Sequence, residues 1–126
     1  MAIARALDEK RINQQRKEIN AVKKRIKNFA VLQGIEVDIK SDGNLELSDS
    51  ILKKLDVVVA SVHSGFKTPK DKMTKRVIKA MENEHVDIIA HPTGRLLQKR
   101  EPFEVDMGMV FDKAKQTGTI LEINAY

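Results

Sequence analysis

Apolar residues along this chain fall into short continuous runs and into helical stripes, and the two alternate. The runs are AVLQGIEVDI at 30–39, DVVVASV at 56–62, VDIIA at 86–90 and TILEI at 119–123. Apolar runs of this length, bounded by turn formers, predict strands of a mainly parallel sheet. Between them lie helix signals. Residues 2–27 contain neither Gly nor Pro, and Leu7, Ile12, Gln15, Ile19, Val22 and Ile26 step at roughly helical spacing. Asp42-Gly43 reads as a turn, with Leu45 and Leu47 alternating as a short hairpin return. Ser48 is placed to cap a short helix ending near Lys54. Thr68, with Pro69 at the first helical position, opens a helix whose stripe is Met73, Val77, Ala80 and Met81 and which Asn83 stops. Pro102 opens a last helix with Phe103, Met107, Val110, Phe111 and Ala114 on one face, ended by Gly118. Four strands alternating with helices predict an α/β fold, either half of a β/α barrel or a small open sheet.

Length and composition narrow this to one globular domain. The 126 residues are 41% hydrophobic and 33% charged, which suits a packed core and argues against a disordered chain. No apolar run approaches the roughly 20 residues of a membrane span, and no signal peptide opens the chain, so the expected location is cytoplasmic. Cysteine is absent. Any metal site must therefore use His, Asp and Glu, which favours Mn, Fe or Zn. The net charge of +5 is concentrated in residues 1–27, which hold nine Lys/Arg against three Asp/Glu. A solvated helix face is the plainer reading of that segment, with nucleic-acid contact as the alternative. The organisation expected is a basic helix over 1–28 followed by β/α units over 29–126. Bare strand edges at both sides of such a sheet predict a homo-oligomer.

Three ligand-type side chains recur at one phase of this repeat. His63 ends the second run and His91 the third, 28 residues later, while Glu36 stands 27 residues before His63. A strand, a crossover and a second strand need about 30 residues. The carboxyl ends of parallel strands face the ligand, and neighbouring strands lie only ~4.8 Å apart. Glu36, His63 and His91 thus form a candidate His₂-carboxylate metal set. Taken singly, each is better explained as an ordinary loop or surface residue; the metal reading comes from the three together. Arg95 follows Gly94 on the His91 loop, where a guanidinium suits a phosphate clamp; pairing with Glu101 or Asp106 is the competing reading. Asp38 shares the face of Glu36 and is expected to be solvated rather than to orient a ligand. Glu122 and Asn124, at the fourth strand end, are candidates to support the ligands from behind. His85 lies at the wrong end of its strand, and Ser61 and Ser64 have no sequence-local base, so a serine nucleophile is rejected.

The segments GIEVDI, VVASVHSGF, MTKRVIKAMEN, VDIIAHPTGRLL, REP and LEINA closely resemble the PHP (polymerase and histidinol phosphatase) domain of bacterial and archaeal family-X DNA polymerases. The resemblance runs through nearly the whole chain, including the leading LDEKR helix. It implies a distorted (βα)₇ barrel holding up to three divalent metal ions (Mn, Zn or Fe). The implied activity is phosphoesterase chemistry, including 3′–5′ exonuclease action and 3′-end processing of DNA in repair, on a phosphate ester or DNA 3′ end. By the same resemblance Glu36 matches the family's metal-bridging carboxylate, His63 the histidine of SVH and His91 that of the HP motif; in the scheme this suggests, Arg95 on the His91 loop would steady phosphoryl oxygens. Ala90 stands where the family commonly has Gly. The family's early HxH and late DxH motifs are absent from this sequence. The expected object is therefore a partial PHP barrel with its first and last units missing. Two readings stand: a metal-dependent phosphoesterase domain incomplete in this chain, or an inactive fragment that oligomerises or binds metal weakly.

Overall fold

In the computed structural model, which describes residues 8–124, four parallel strands lie side by side in chain order. They are β1 (Gly34–Asp38), β2 (Val57–Ser61), β3 (Ile88–Ile89) and β4 (Ile120–Leu121), and each follows a helix: α1 (Glu9–Arg25), α2 (Asp49–Leu52), α3 (Lys70–Met81) and α4 (Met107–Thr117). Pairing aligns Val37 with Ala60, Ala60 with Ile89 and Ile89 with Leu121. Side chains alternate across a strand, so this row and its neighbours Ile39, Val58 and Val62 share one face. Met73, Val77, Ala80 and Met81 of α3 and Val110 and Ala114 of α4 join them in one buried cluster. Burying each valine, isoleucine or methionine of this cluster contributes about 1.5–3 kcal/mol. The other face carries Glu36, Asp38, Val59, Ser61, Ile88 and Ile120, and no described helix packs across it to match α3 and α4. No described helix is long and apolar enough to cross a membrane.

Several elements differ from the sequence expectation, each for a local reason. Strands are shorter at both ends, with β3 reduced to two residues. Lys70, not Pro69, is the first helical residue of α3, because Thr68 turns its hydroxyl back to the Gly65 carbonyl at 2.6 Å instead of capping. Ser48 precedes α2 without a side-chain cap bond, its hydroxyl meeting that of Ser50. The return after Asp42-Gly43 narrows to one antiparallel bridge, Ile39 with Leu45. Pro102 does not open a helix. Phe103 is buried, its ring pressed beside Gly94 and stacked on Phe66, with the Arg100 guanidinium over the Phe66 ring. That keeps residues 101–106 extended until Asp106 caps α4 by accepting the Met109 amide. Phe111 then falls on the exposed side. Gly118 does end α4, with φ of 76°. Leu7 lies outside the described residues.

The amino ends of the strands are fastened by carboxylates. Asp56, just before β2, accepts the Gln33 amide ahead of β1 at 2.8 Å, and Asp87, just before β3, accepts the Val58 amide of β2 at 2.8 Å. Helix α1 docks at this end. Gln33 is buried, and its Nε2 donates to the Ile12 carbonyl and to Gln15 Oε1, both at 2.9 Å. Arg16 approaches Asp56 to 3.7 Å. Ile12 is the buried apolar residue of α1, so this polar junction, more than apolar area, holds the helix down.

Two outcomes follow. Gln33→Ala should cost about 1–3 kcal/mol, the range for stranding buried polar partners, read from urea unfolding; a loss within experimental error would show that α1 is held by something else. The second concerns pH. The Gln33 amide, offset in part by desolvation and helped by Arg16 and Lys23, holds the Asp56 carboxyl below its usual 3.8. A carboxyl lowered by folding stabilises the chain above its unfolded pKa, and the contribution is lost as pH falls through the lowered value. Wild type should therefore exceed Asp56→Asn in urea midpoint at neutral pH, and the gap should close as pH falls below the usual carboxylate range; a pH-independent gap would rule the charge out as its cause.

Candidate metal centre

Glu36 and Asp38 stand two residues apart on the open face of β1, and their partners across the ladder are Val59 and Ser61. His63 follows Ser61 by two residues and keeps the same side. The result is a contact cluster at the carboxyl ends of β1 and β2. His63 Nδ1 meets Asp38 Oδ1 in a very short hydrogen bond, while His63 Nε2 lies 3.2 Å from Glu36 Oε1. The buried Ser61 hydroxyl rests 3.3 Å from His63 Nδ1, against the ring rather than open to a substrate. Asp38, expected to be solvated, instead orients His63. A carboxylate accepts the Nδ1–H and so fixes the ring with Nε2 towards Glu36.

His91 arrives by a different route. Continued alternation from Ile89 would send residue 91 to the helix-packed face. His91 instead has φ of 30°, a left-handed conformation that side chains rarely adopt, and the turn brings its Nε2 within 3.2 Å of Glu36 Oε1. Two hydrogen bonds hold the turn: the His91 amide donates to Glu122 Oε2 at 2.7 Å, and the Gly94 amide donates to the His91 carbonyl at 2.7 Å. Gly94 itself has φ of 62°, and a Cβ there would sit 2.4 Å from the Phe103 ring. The rings of His63 and His91 are 5.3 Å apart.

Ligand atoms of Glu36, His63 and His91 thus lie within 4.8 Å of one another. Two donors 3.2 Å apart are what a single ion makes when each bond is about 2.1 Å and the angle roughly 100°. With Nδ1–H given to Asp38, the lone pair on His63 Nε2 faces a carboxylate oxygen. Two bases so placed repel unless a cation or a proton lies between them, and the donor set therefore fits a divalent ion of the Mn, Fe or Zn kind. Glu122, expected as a supporting group, is tied to the His91 backbone. Asn124 is exposed beside it, in a cleft of about 490 Å³ that also receives His91 and Arg95. Arg95 is exposed, and its guanidinium makes no ion pair with a described residue; neither Glu101 nor Asp106 engages it, and Asp106 pairs with Lys70 at 3.7 Å. His85 lies outside the cluster, as expected.

The sequence reading missed one residue that touches this region, Arg76. It occupies a position in the apolar stripe of α3, three residues after Met73 and four before Ala80, and is 3% exposed. Burial lowers its pKa from the ordinary arginine value, with Asp38 and Asp42 opposing the shift. A charged residue falling on an otherwise apolar helix face was the signal available.

No family model matches the chain. Relatives are nonetheless clear. The chain is 44% identical over 125 residues to the DNA polymerase/3′-5′ exonuclease PolX of Bacillus subtilis, a match covering 99% of this chain and 22% of that protein. It is 37% identical over 110 residues to a probable phosphatase of Thermoanaerobacter, covering 84% of this chain and 42% of the relative, and 34% identical over 109 residues to one of Clostridium acetobutylicum with the same shares. The chain thus spans about a fifth of the length of the polymerase and two fifths of that of the phosphatases. Taken with the motifs around Glu36, His63 and His91, these similarities agree with the resemblance to a segment of the PHP domain of family-X DNA polymerases.

Proposed function

We propose that this chain is part of a metal-dependent phosphoesterase domain acting on a phosphate ester, with a DNA 3′ end as the substrate of the polymerase-linked form. The observation that carries the reading is the meeting of Glu36, His63 and His91 at the carboxyl ends of three neighbouring strands. In it, those three residues would hold a divalent ion, which when bound would supply Lewis acidity towards a phosphoryl oxygen and a water. Asp38 keeps His63 Nε2 turned inward, and Glu122 keeps His91 in its turned conformation. Arg95, exposed on the same loop, steadies the phosphoryl oxygens. The names of the polymerase and phosphatase relatives support the reaction class. The four strands, adding one after another in chain order with no reversal, are consistent with an arc of a (βα)₇ barrel whose interior is the open face. The whole of residues 1–126 is read as a single partial PHP domain.

A second reading has its own support. Among the described residues Glu36, His63 and His91 are the one group of three that could hold an ion, whereas two-metal hydrolysis needs a second. On this reading the chain binds one ion loosely and turns nothing over. In either case the open edges favour self-association: Ile120 and Ile123, at 61% and 94% exposure, stand on and just beyond the edge strand β4.

Phosphatase and exonuclease turnover with Mn²⁺ separates the readings. Intact chain should outpace His63→Ala and His91→Ala by about 100-fold or more, beyond what loss of a supporting group costs. Equal rates in all three would remove the catalytic assignment, and Mn²⁺ binding without turnover would favour the second reading. Light scattering should find dimers or larger species at micromolar concentration, and a monomer persisting there would refute self-association.

A further inference from the structure

Helix α3 packs on the face of the sheet opposite to Glu36, yet it sends one cation through to the strand ends. Arg76 Nε donates to the Ile39 carbonyl at 3.2 Å, Nη2 donates to the same carbonyl, and Nη1 donates to the Ser64 carbonyl at 2.9 Å. Ile39 is the residue after Asp38, and Ser64 is the residue after His63. The guanidinium is therefore a crosspiece between the two backbone segments that carry the Asp38–His63 pair. Among the described residues no carboxylate touches it. Its charge is balanced at longer range by Asp38 and Asp42, and a buried cation without a contacting anion is costly to keep for packing alone. An apolar side chain at this position of the stripe would serve the core better.

From this arrangement we infer that Arg76 is a positioning residue of the metal centre, setting the spacing of Asp38 and His63 and through them the direction of His63 Nε2. The inference rests on the metal-dependent reading of the site. Its mechanism is the planar fork: two nitrogens on one carbonyl and a third on another fix the separation of the two carbonyls in a way that the single ammonium of lysine does not. The neighbouring Gly65 accommodates it, since a Cβ there would lie 3.2 Å from Arg76 Nη1 on a backbone with φ of 69°.

The test compares full-length Arg76→Lys with Val77→Ala, which thins the same buried helix face without touching either carbonyl. Two readouts are used. In chain stripped of metal, the ¹H–¹⁵N spectrum of the His63 imidazole reports whether Nδ1 still donates to Asp38. In chain titrated with Co²⁺, visible absorption reports affinity and ligand geometry. Arg76→Lys should alter the His63 Nδ1–H signal and weaken Co²⁺ binding by about ten-fold or more, the usual cost of losing a group that orients a ligand. Val77→Ala should lower the melting temperature while leaving both readouts close to wild type. An unchanged His63 signal in Arg76→Lys, or an equal change in Val77→Ala, would overturn the inference. Absence of Co²⁺ binding by wild type, or undiminished binding by His63→Ala, would instead sink the metal reading, and the imidazole spectrum would still decide whether Arg76 positions His63.

Discussion

Five consecutive parallel pairs, from Gly34 with Val57 to Asp38 with Ser61, determine where Glu36 stands relative to His63. A slip of one residue would carry Glu36 and Asp38 to the helix-packed face and bring Val37 out. Two things oppose the slip. The Val37, Ile39, Val58 and Ala60 row must stay under α3, and Asp56 and Asp87 clamp backbone amides of the preceding strands at the amino end. Stability and site geometry therefore share one cause: the register that buries the apolar row also aims the acid and imidazole groups outward.

This is why part of the site was legible in the sequence. Glu36 and Asp38, and likewise Ser61 and His63, are separated by two, and alternation in a strand is the most regular periodicity a chain has. The spacing of 27 and 28 residues between Glu36, His63 and His91 carried the β/α repeat. What was not legible depends on contacts between distant segments. The convergence of His91 relies on a left-handed backbone and on Glu122, 31 residues away. Asp38 looked like a solvated strand residue because its partner is 25 residues on. The extended stretch before α4 follows from burial of Phe103 against Gly94 and Phe66, which outweighed the helix-opening preference of Pro102. Arg76 was read past because the stripe it interrupts still looked apolar without it.

The charges of the molecule are also separated along the sheet. Basic α1 docks at the amino end through Gln33 and Arg16, while the imidazole and carboxylate cluster is at the carboxyl end. Five residues of strand span roughly 16 Å, about twice the screening length at physiological salt. The positive segment therefore does little to neutralise the site, and a nucleic-acid contact along α1 would be a separate surface.

The site must then balance its own charge. Glu36, Asp38 and Glu122 are three carboxylates close to two imidazoles. Asp38 has the Nδ1 of His63, and Glu122 has the amide of His91. Glu36 alone meets no fixed backbone or guanidinium donor among the described residues; its Oε1 is shared between two Nε2 atoms at 3.2 Å each. Those are the two ring nitrogens that the supporting contacts leave turned inward. A group that supplied positive charge at that point and accepted three donors would satisfy all of them at once, whereas a proton can serve only one pair. On the proposed metal-dependent reading the open face of the sheet is arranged around a cation, and Asp38, Glu122 and Arg76 are best understood by what they do to the three atoms that would surround it.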